Sequence, residues 1–394
     1  MRVTRYAWLG VAAMVLLGGC KGFWDASTST SGGSGTDAAS GVFYVLNEKT
    51  SQVAGYQFAA NSNGPSSITG SPYTLGALPY TMAISPAGSF LYVSTVSGIY
   101  VFTVGTGGAL TIANGGAVIS QDAAYAMQVD PSGTWLIEVV SGQGTVNAVP
   151  ISASSGLFDS TRVEESAALP TVTISQLAIS PANAANPYVF VAMGSGGTAV
   201  IPFTATNTAS HTSPFGTVSE IALINSAGGA NAVAVDPSNR LLYVGETAAV
   251  SGTQTGGLRV FTIGALSDIT EITGSPYSTG GTGPSAILPG ATEVFVANKA
   301  VSGSTDGNIT SFSVGSTGTT TTYSLTKIGS IAAGLSTQGL AVDSTATYIL
   351  AVNAGGSPDL STFTYSATTS QLVASATATT GTDPVQAVSV VALP

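Results

Sequence analysis

A chain of 394 residues has room for two average domains or for one large all-β unit. Only 7% of it is charged but 44% is hydrophobic, which argues for a packed core and against a solvated polymer. A net charge of −10 with nine Lys and Arg argues against a nucleic-acid surface and against electrostatic docking on an anionic membrane.

The first elements in the chain read as an address. Arg2 and Arg5 precede the apolar run Tyr6 to Leu17. That run is shorter than the roughly 20 residues a membrane span needs, so a cleaved signal over residues 1–19 is expected. The signal ends in Leu17-Gly18-Gly19-Cys20, an aliphatic residue and two small ones ahead of the only cysteine. This segment resembles the lipobox of bacterial lipoproteins, and the resemblance implies a lipid on Cys20. Lys21, rather than Asp, at the next position implies the outer membrane where the cell has one. Residues 20–41, rich in Ser, Gly and Thr, read as a flexible tether.

From Val42 a unit repeats. A short β-branched and aromatic strand begins at Val42, Phe90, Trp135, Tyr188, Leu241, Glu293 and Tyr348. The spacing of roughly 45 to 55 residues, with several strands per unit, points to propeller blades. Ahead of these strands lie inner-strand patterns that close on turn chemistry, as at Pro86-Ala87-Gly88, Pro131-Ser132-Gly133 and Pro237-Ser238-Asn239. Proline presets the first corner, Asp or Ser caps it, and Gly or Asn accepts positive φ. Third strands follow at Gly98, Gly257 and Asn308, and the stretch 142–170 is irregular. Val42 opens on a second strand with no inner partner, while Pro384 to Val391 is an inner strand with no successor. Pairing the two closes the ring and removes both exposed edges. The expectation is an all-β, seven-bladed β-propeller of four-stranded blades spanning 42–394, closed by its N- and C-terminal strands and monomeric.

The recurring Val-Asp-Pro-Ser-x-x-Leu-Tyr-Val type of pattern, with Gly70-Ser71-Pro72-Tyr73 and Gly274-Ser275-Pro276-Tyr277, resembles the lactonase (6-phosphogluconolactonase-like) propellers and the related YVTN-repeat surface proteins. The resemblance covers about 42–394 and implies the fold more strongly than the activity. Active members of that family carry a Gly-Pro-Arg-His-type segment ahead of an inner strand. At the basic position this chain has Tyr80, Tyr125, Ser175, Asn231, Ser285, Gln338 and Val385, none of them basic. Its only histidine, His211, falls in an outer connection. Opening a lactone needs a general base or metal and a group to hold the developing oxyanion, and these positions supply neither.

Candidates for a rearranged site come from the ends of the second strands, which read Asn47, Thr95, Val140, Met193, Glu246, Asn298 and Asn353, followed by Glu48 and Lys299. Glu48 and Glu246 are the candidate catalytic bases. Glu48 also reads as a solvated loop charge, and Glu246 as the partner of Lys299 across the mouth. Tyr80 and Tyr125 are placed to stack a sugar or aromatic ring, or else to pack against one another. Asn231, Asn298 and Lys299 complete a candidate ligand set. Calcium held by Glu246, Asn231 and Asn298 would have a single carboxylate, so no metal and no cofactor are expected. The favoured reading is a non-catalytic cell-envelope lipoprotein that binds an envelope protein or glycan. A lactone hydrolase and a structural scaffold stand as the alternatives.

Overall fold

The computed structural model describes residues 40–58, 64–140, 142–171, 173–206, 212–250, 255–317, 322–356, 358–366, 371–378 and 387–394. The signal segment, Cys20, nearly all of the tether, His211 and Val385 lie outside the described residues.

Seven antiparallel sheets form the blades. Blade 2 runs outward through Pro79–Ile84, Phe90–Thr95, Gly98–Val104 and Leu110–Ile112. Blade 3 uses Ala124–Val129, Trp135–Val140, Thr145–Pro150 and Glu165–Ala168. The third and fourth strands of blade 3 thus come from the stretch that reads as irregular. Blades 4 to 7 begin with the inner strands Gln176–Ile179, Ala230–Val235, Pro284–Pro289 and Thr337–Val342. Blade 1 is composite. Its inner strand is Ala387–Ala392 from the C-terminal end, paired antiparallel with Ser40–Asn47 through Phe43↔Ala392 and Leu46↔Ser389. Contacts between successive inner strands run round all seven blades and close between blades 7, 1 and 2.

The turn chemistry works as the sequence indicates. The buried Asp130 carboxylate accepts the backbone N–H groups of Thr134 at 2.8 Å and Trp135 at 2.7 Å through Oδ1. Asp236 accepts from Leu241 at 2.9 Å, and Asp343 from Tyr348 at 2.6 Å, in the same way. In blades 2 and 4 the hydroxyls of Ser85 and Ser180 replace the carboxylate. Each cap satisfies the first N–H groups of a second strand and fixes the hairpin that launches it.

Every second strand alternates between its two neighbours. Leu136 faces blade 2 and Ile137 faces blade 4, and each of the seven interfaces between blades holds its own apolar cluster. A fully buried Leu, Ile or Phe in such a layer is worth about 1.5–3 kcal/mol, so closure is driven mainly by these seven layers. Aromatic side chains also tie blades together by hydrogen bonds. The Tyr44 hydroxyl donates to the Gly108 carbonyl of blade 2 at 2.6 Å, and Tyr92 to the Gly156 carbonyl of blade 3 at 3.0 Å.

Candidate functional site

The inner strands have no hydrogen-bonded strand on their channel side, so side chains do part of that work. Gln128 Oε1 accepts the Ile179 N–H at 3.1 Å, Gln176 Oε1 accepts the Val233 N–H at 2.9 Å, and Ser285 Oγ donates to the Thr337 carbonyl at 2.8 Å. These links set the spacing of the strands round the axis.

A cavity of about 450 Å³ opens at the entry end of the inner strands. Its rim is built from one recurring irregularity. Pro79 pairs with Thr95 and Thr81 with Ser94, so Tyr80 is the extra residue of a β-bulge. The same slip isolates Tyr125 in blade 3, Asn231 in blade 5, Ser285 in blade 6, Gln338 in blade 7 and Val388 in blade 1. A bulge sets two residues against one and re-aims a side chain; here all six bulge residues line the cavity, with Ser175 and Gln176 filling the blade 4 position. Sequence reading puts Val385 at the blade 1 position. The observed register begins at Ala387, so the rim residue is Val388.

Tyr80 and Tyr125 stack on one another, with ring centroids 4.4 Å apart and planes inclined by 20°. Tyr125 stays 47% exposed, so one ring face looks into the mouth. Loss of surrounding water, then the Tyr125 hydroxyl and the charge of Glu48, push the Tyr80 phenol upward. Glu48 is therefore close enough to be felt at the rim, although it does not line the cavity. Lys299 does line it and is exposed. Among the described lining residues it is the only charged group, and no carboxylate or imidazole is present.

Two expected members lie elsewhere. Asn298 is fully buried inside blade 6, where its Nδ2 donates to Asn308 Oδ1 at 2.8 Å and its Oδ1 accepts from Thr279 Oγ1 at 2.8 Å. Glu246 is 1% exposed and meets Arg259 Nη1 at 2.8 Å, not Lys299. Its other oxygen accepts the Ile224 N–H at 3.2 Å. Both residues end second strands, where their side chains turn into the blade and cap loops, whereas the bulge residues of the inner strands and Lys299 line the channel mouth. Asn353 follows the same rule, accepting from Thr337 and donating to Pro358. Ser389, Gln176 and Val388 belong to the lining and went unrecognised as site residues in the sequence; the Ala387-Val388-Ser389 spacing against other inner strands is the signal that marks two of them.

No protein-family model and no curated protein sequence matches this chain. Among solved structures it is similar to a Bacteroides fragilis protein described as a candidate 6-phosphogluconolactonase. That likeness is 12% identical, with a TM-score of 0.68, over 92% of this chain and 100% of the other. A Bacteroides uniformis protein described in the same way is 13% identical, with a TM-score of 0.64, over 90% and 99% of the two chains. The periplasmic gluconolactonase of Pseudomonas aeruginosa is also 13% identical, with a TM-score of 0.57 over the same shares. At these identities the likeness is one of fold. The chain is a seven-bladed β-propeller with the architecture of lactonase-like propellers.

Proposed function

We propose that the chain is an exported, lipid-anchored propeller of the cell envelope whose central mouth binds a neutral, polyhydroxylated ligand such as a glycan without turning it over. The observation that carries this reading is the rim itself. Bulges direct tyrosine, serine, asparagine and glutamine side chains into one cavity of about 450 Å³, with an open tyrosine face. An aromatic face packs on the apolar side of a sugar ring while amides and hydroxyls meet its hydroxyl groups. Lys299 suits a hydroxyl or carbonyl oxygen on the same ligand. The anchor rests on the lipobox-like segment ending at Cys20.

Hydrolysis of a lactone is the competing reading, favoured by the Glu48 charge being felt at the Tyr80 phenol on the rim. Calorimetric titration of the purified protein with neutral saccharides, beside lactone turnover assays, separates the two. Binding that weakens about tenfold or more in Tyr125→Ala, with turnover at the buffer rate, is expected. Lactone turnover that collapses in Glu48→Gln contradicts the binding reading. For the anchor, Cys20→Ser should move the protein from the membrane fraction to the soluble one; its retention there would contradict lipidation.

A further inference from the structure

In the second strand of blade 3 a glutamate interrupts an otherwise apolar run. Glu138 is 0% exposed. Alternation turns it to the same side as Leu136, into the apolar layer between blades 2 and 3. Neither of its carboxylate oxygens has a hydrogen-bond partner of ordinary geometry, and the nearby Asn147 amide offsets only part of the cost of burial. Asn147, its cross-strand partner, instead donates Nδ2 to Asp122 Oδ2 at 3.2 Å. Asp122 belongs to the loop that enters blade 3, and Glu164 immediately precedes the outer strand Glu165–Ala168. One oxygen from each of Asp122, Glu138 and Glu164 lies within 4.8 Å of the other two. None of the ion pairs formed among the described residues includes any of the three. Two more unpartnered hydroxyls, Ser94 Oγ and Thr145 Oγ1, sit on strand positions that front the same layer.

Burying a carboxylate without a donor is unfavourable, and two further carboxylates beside it make it more so. Burial, and then Asp122, push the Glu138 carboxyl well above the usual carboxylate range. A single proton would neutralise one of three groups and leave most acceptor oxygens unmet. A hard divalent cation meets all of them at once. Calcium takes six to eight oxygens at about 2.3–2.6 Å, which puts ligands on opposite sides of the ion about 5 Å apart. Magnesium, at about 2.0–2.1 Å, demands a tighter octahedron, and zinc prefers nitrogen and sulfur.

We propose that Asp122, Glu138 and Glu164 form a calcium site in the seam between blades 2 and 3. Asp122 lies three residues before Tyr125, so the ion fixes the segment that carries the exposed tyrosine of the rim. The site does not depend on which ligand the mouth accepts. The glutamate is the ligand that the fold holds rigidly, Asp122 ties in the entry loop, and the exposed Glu164 gives the ion its way in from solvent.

Calorimetric titration of chelator-stripped full-length protein with calcium tests this, with magnesium run in parallel. One calcium per chain is expected, and Glu138→Gln and Asp122→Asn should each weaken it tenfold or more. Far-ultraviolet circular dichroism verifies that the variants fold; should Glu138→Gln not fold, Asp122→Asn decides alone. No calcium heat up to about 1 mM, the weak end for extracellular calcium modules, overturns the proposal. So does binding that the folded variants leave unchanged, or magnesium bound more tightly than calcium.

Discussion

Blades 3 and 5 each bury a glutamate on the second strand, and their third strands answer it in opposite ways. In blade 5 the third strand supplies Arg259. It bonds Glu246 at 2.8 Å and clasps Glu271 with two more contacts, Nε to Oε1 at 3.1 Å and Nη2 to Oε2 at 2.7 Å. Burial alone would raise the Glu271 carboxyl, but the hydrogen bonds from Arg259 and Ser275 outweigh it and hold that carboxyl below its ordinary range. In blade 3 the third strand supplies Asn147, a neutral amide, where blade 5 has Arg259, and Asp122 and Glu164 add two more carboxylates beside Glu138. Blade 5 thus meets its buried glutamate with a cation of its own, whereas blade 3 offers its glutamate none among the described residues. A buried ion pair is weak evidence for stability, because its desolvation offsets its attraction; a fully buried carboxylate without a counter-charge, as Glu138 is, points more strongly to a ligand.

The comparison breaks most visibly at Arg259. Arg259→Met leaves Glu246 buried without its counter-charge and should cost about 3–5 kcal/mol in urea unfolding. A loss under about 1 kcal/mol would mean that Glu246 reaches water in the variant. Next in size is Glu138→Gln, expected to stabilise the calcium-free protein by about 1–2 kcal/mol. The amide cannot ionise beside Asp122 and Glu164, and it brings a donor to Asp122. Destabilisation in chelator would show that the native carboxylate already has a partner. The smallest effect belongs to Glu164→Gln. On an exposed side chain it should change calcium-free stability by less than about 0.5 kcal/mol, while still weakening calcium in the titration. A large stability change there would place Glu164 in the fold's core network.

The blades were legible because a propeller repeats its physics. Val, Phe and Tyr recur on strands buried on both faces, and Asp or Ser followed by Pro and Gly recurs where an inner strand must turn. Tyr80, Tyr125 and Asn231 were legible at the mouth because strand entries can be counted from those turns, and Lys299 because it follows the end of a second strand. Asn298 and Glu246 were misplaced for a geometric reason. A strand end near the mouth in sequence says nothing of whether its side chain turns to the channel or into the blade, and the bulges that decide this leave no compositional mark. The acidic cluster was hidden differently. Its members sit on an entry loop, a second strand and the irregular stretch before a fourth strand, and only the blade brings them together. One sign was readable. Among the seven second strands, only Trp135–Val140 carries a charge away from its ends.

The most direct test of this contrast is thermal unfolding of the wild-type chain and Glu138→Gln, each in chelator and in calcium. A ligand that binds only the folded state raises the melting temperature by mass action. The wild type should melt several degrees higher in calcium, and Glu138→Gln at nearly the same temperature in both buffers. A wild-type melting temperature indifferent to calcium would contradict the claim that blade 3 is completed by an ion.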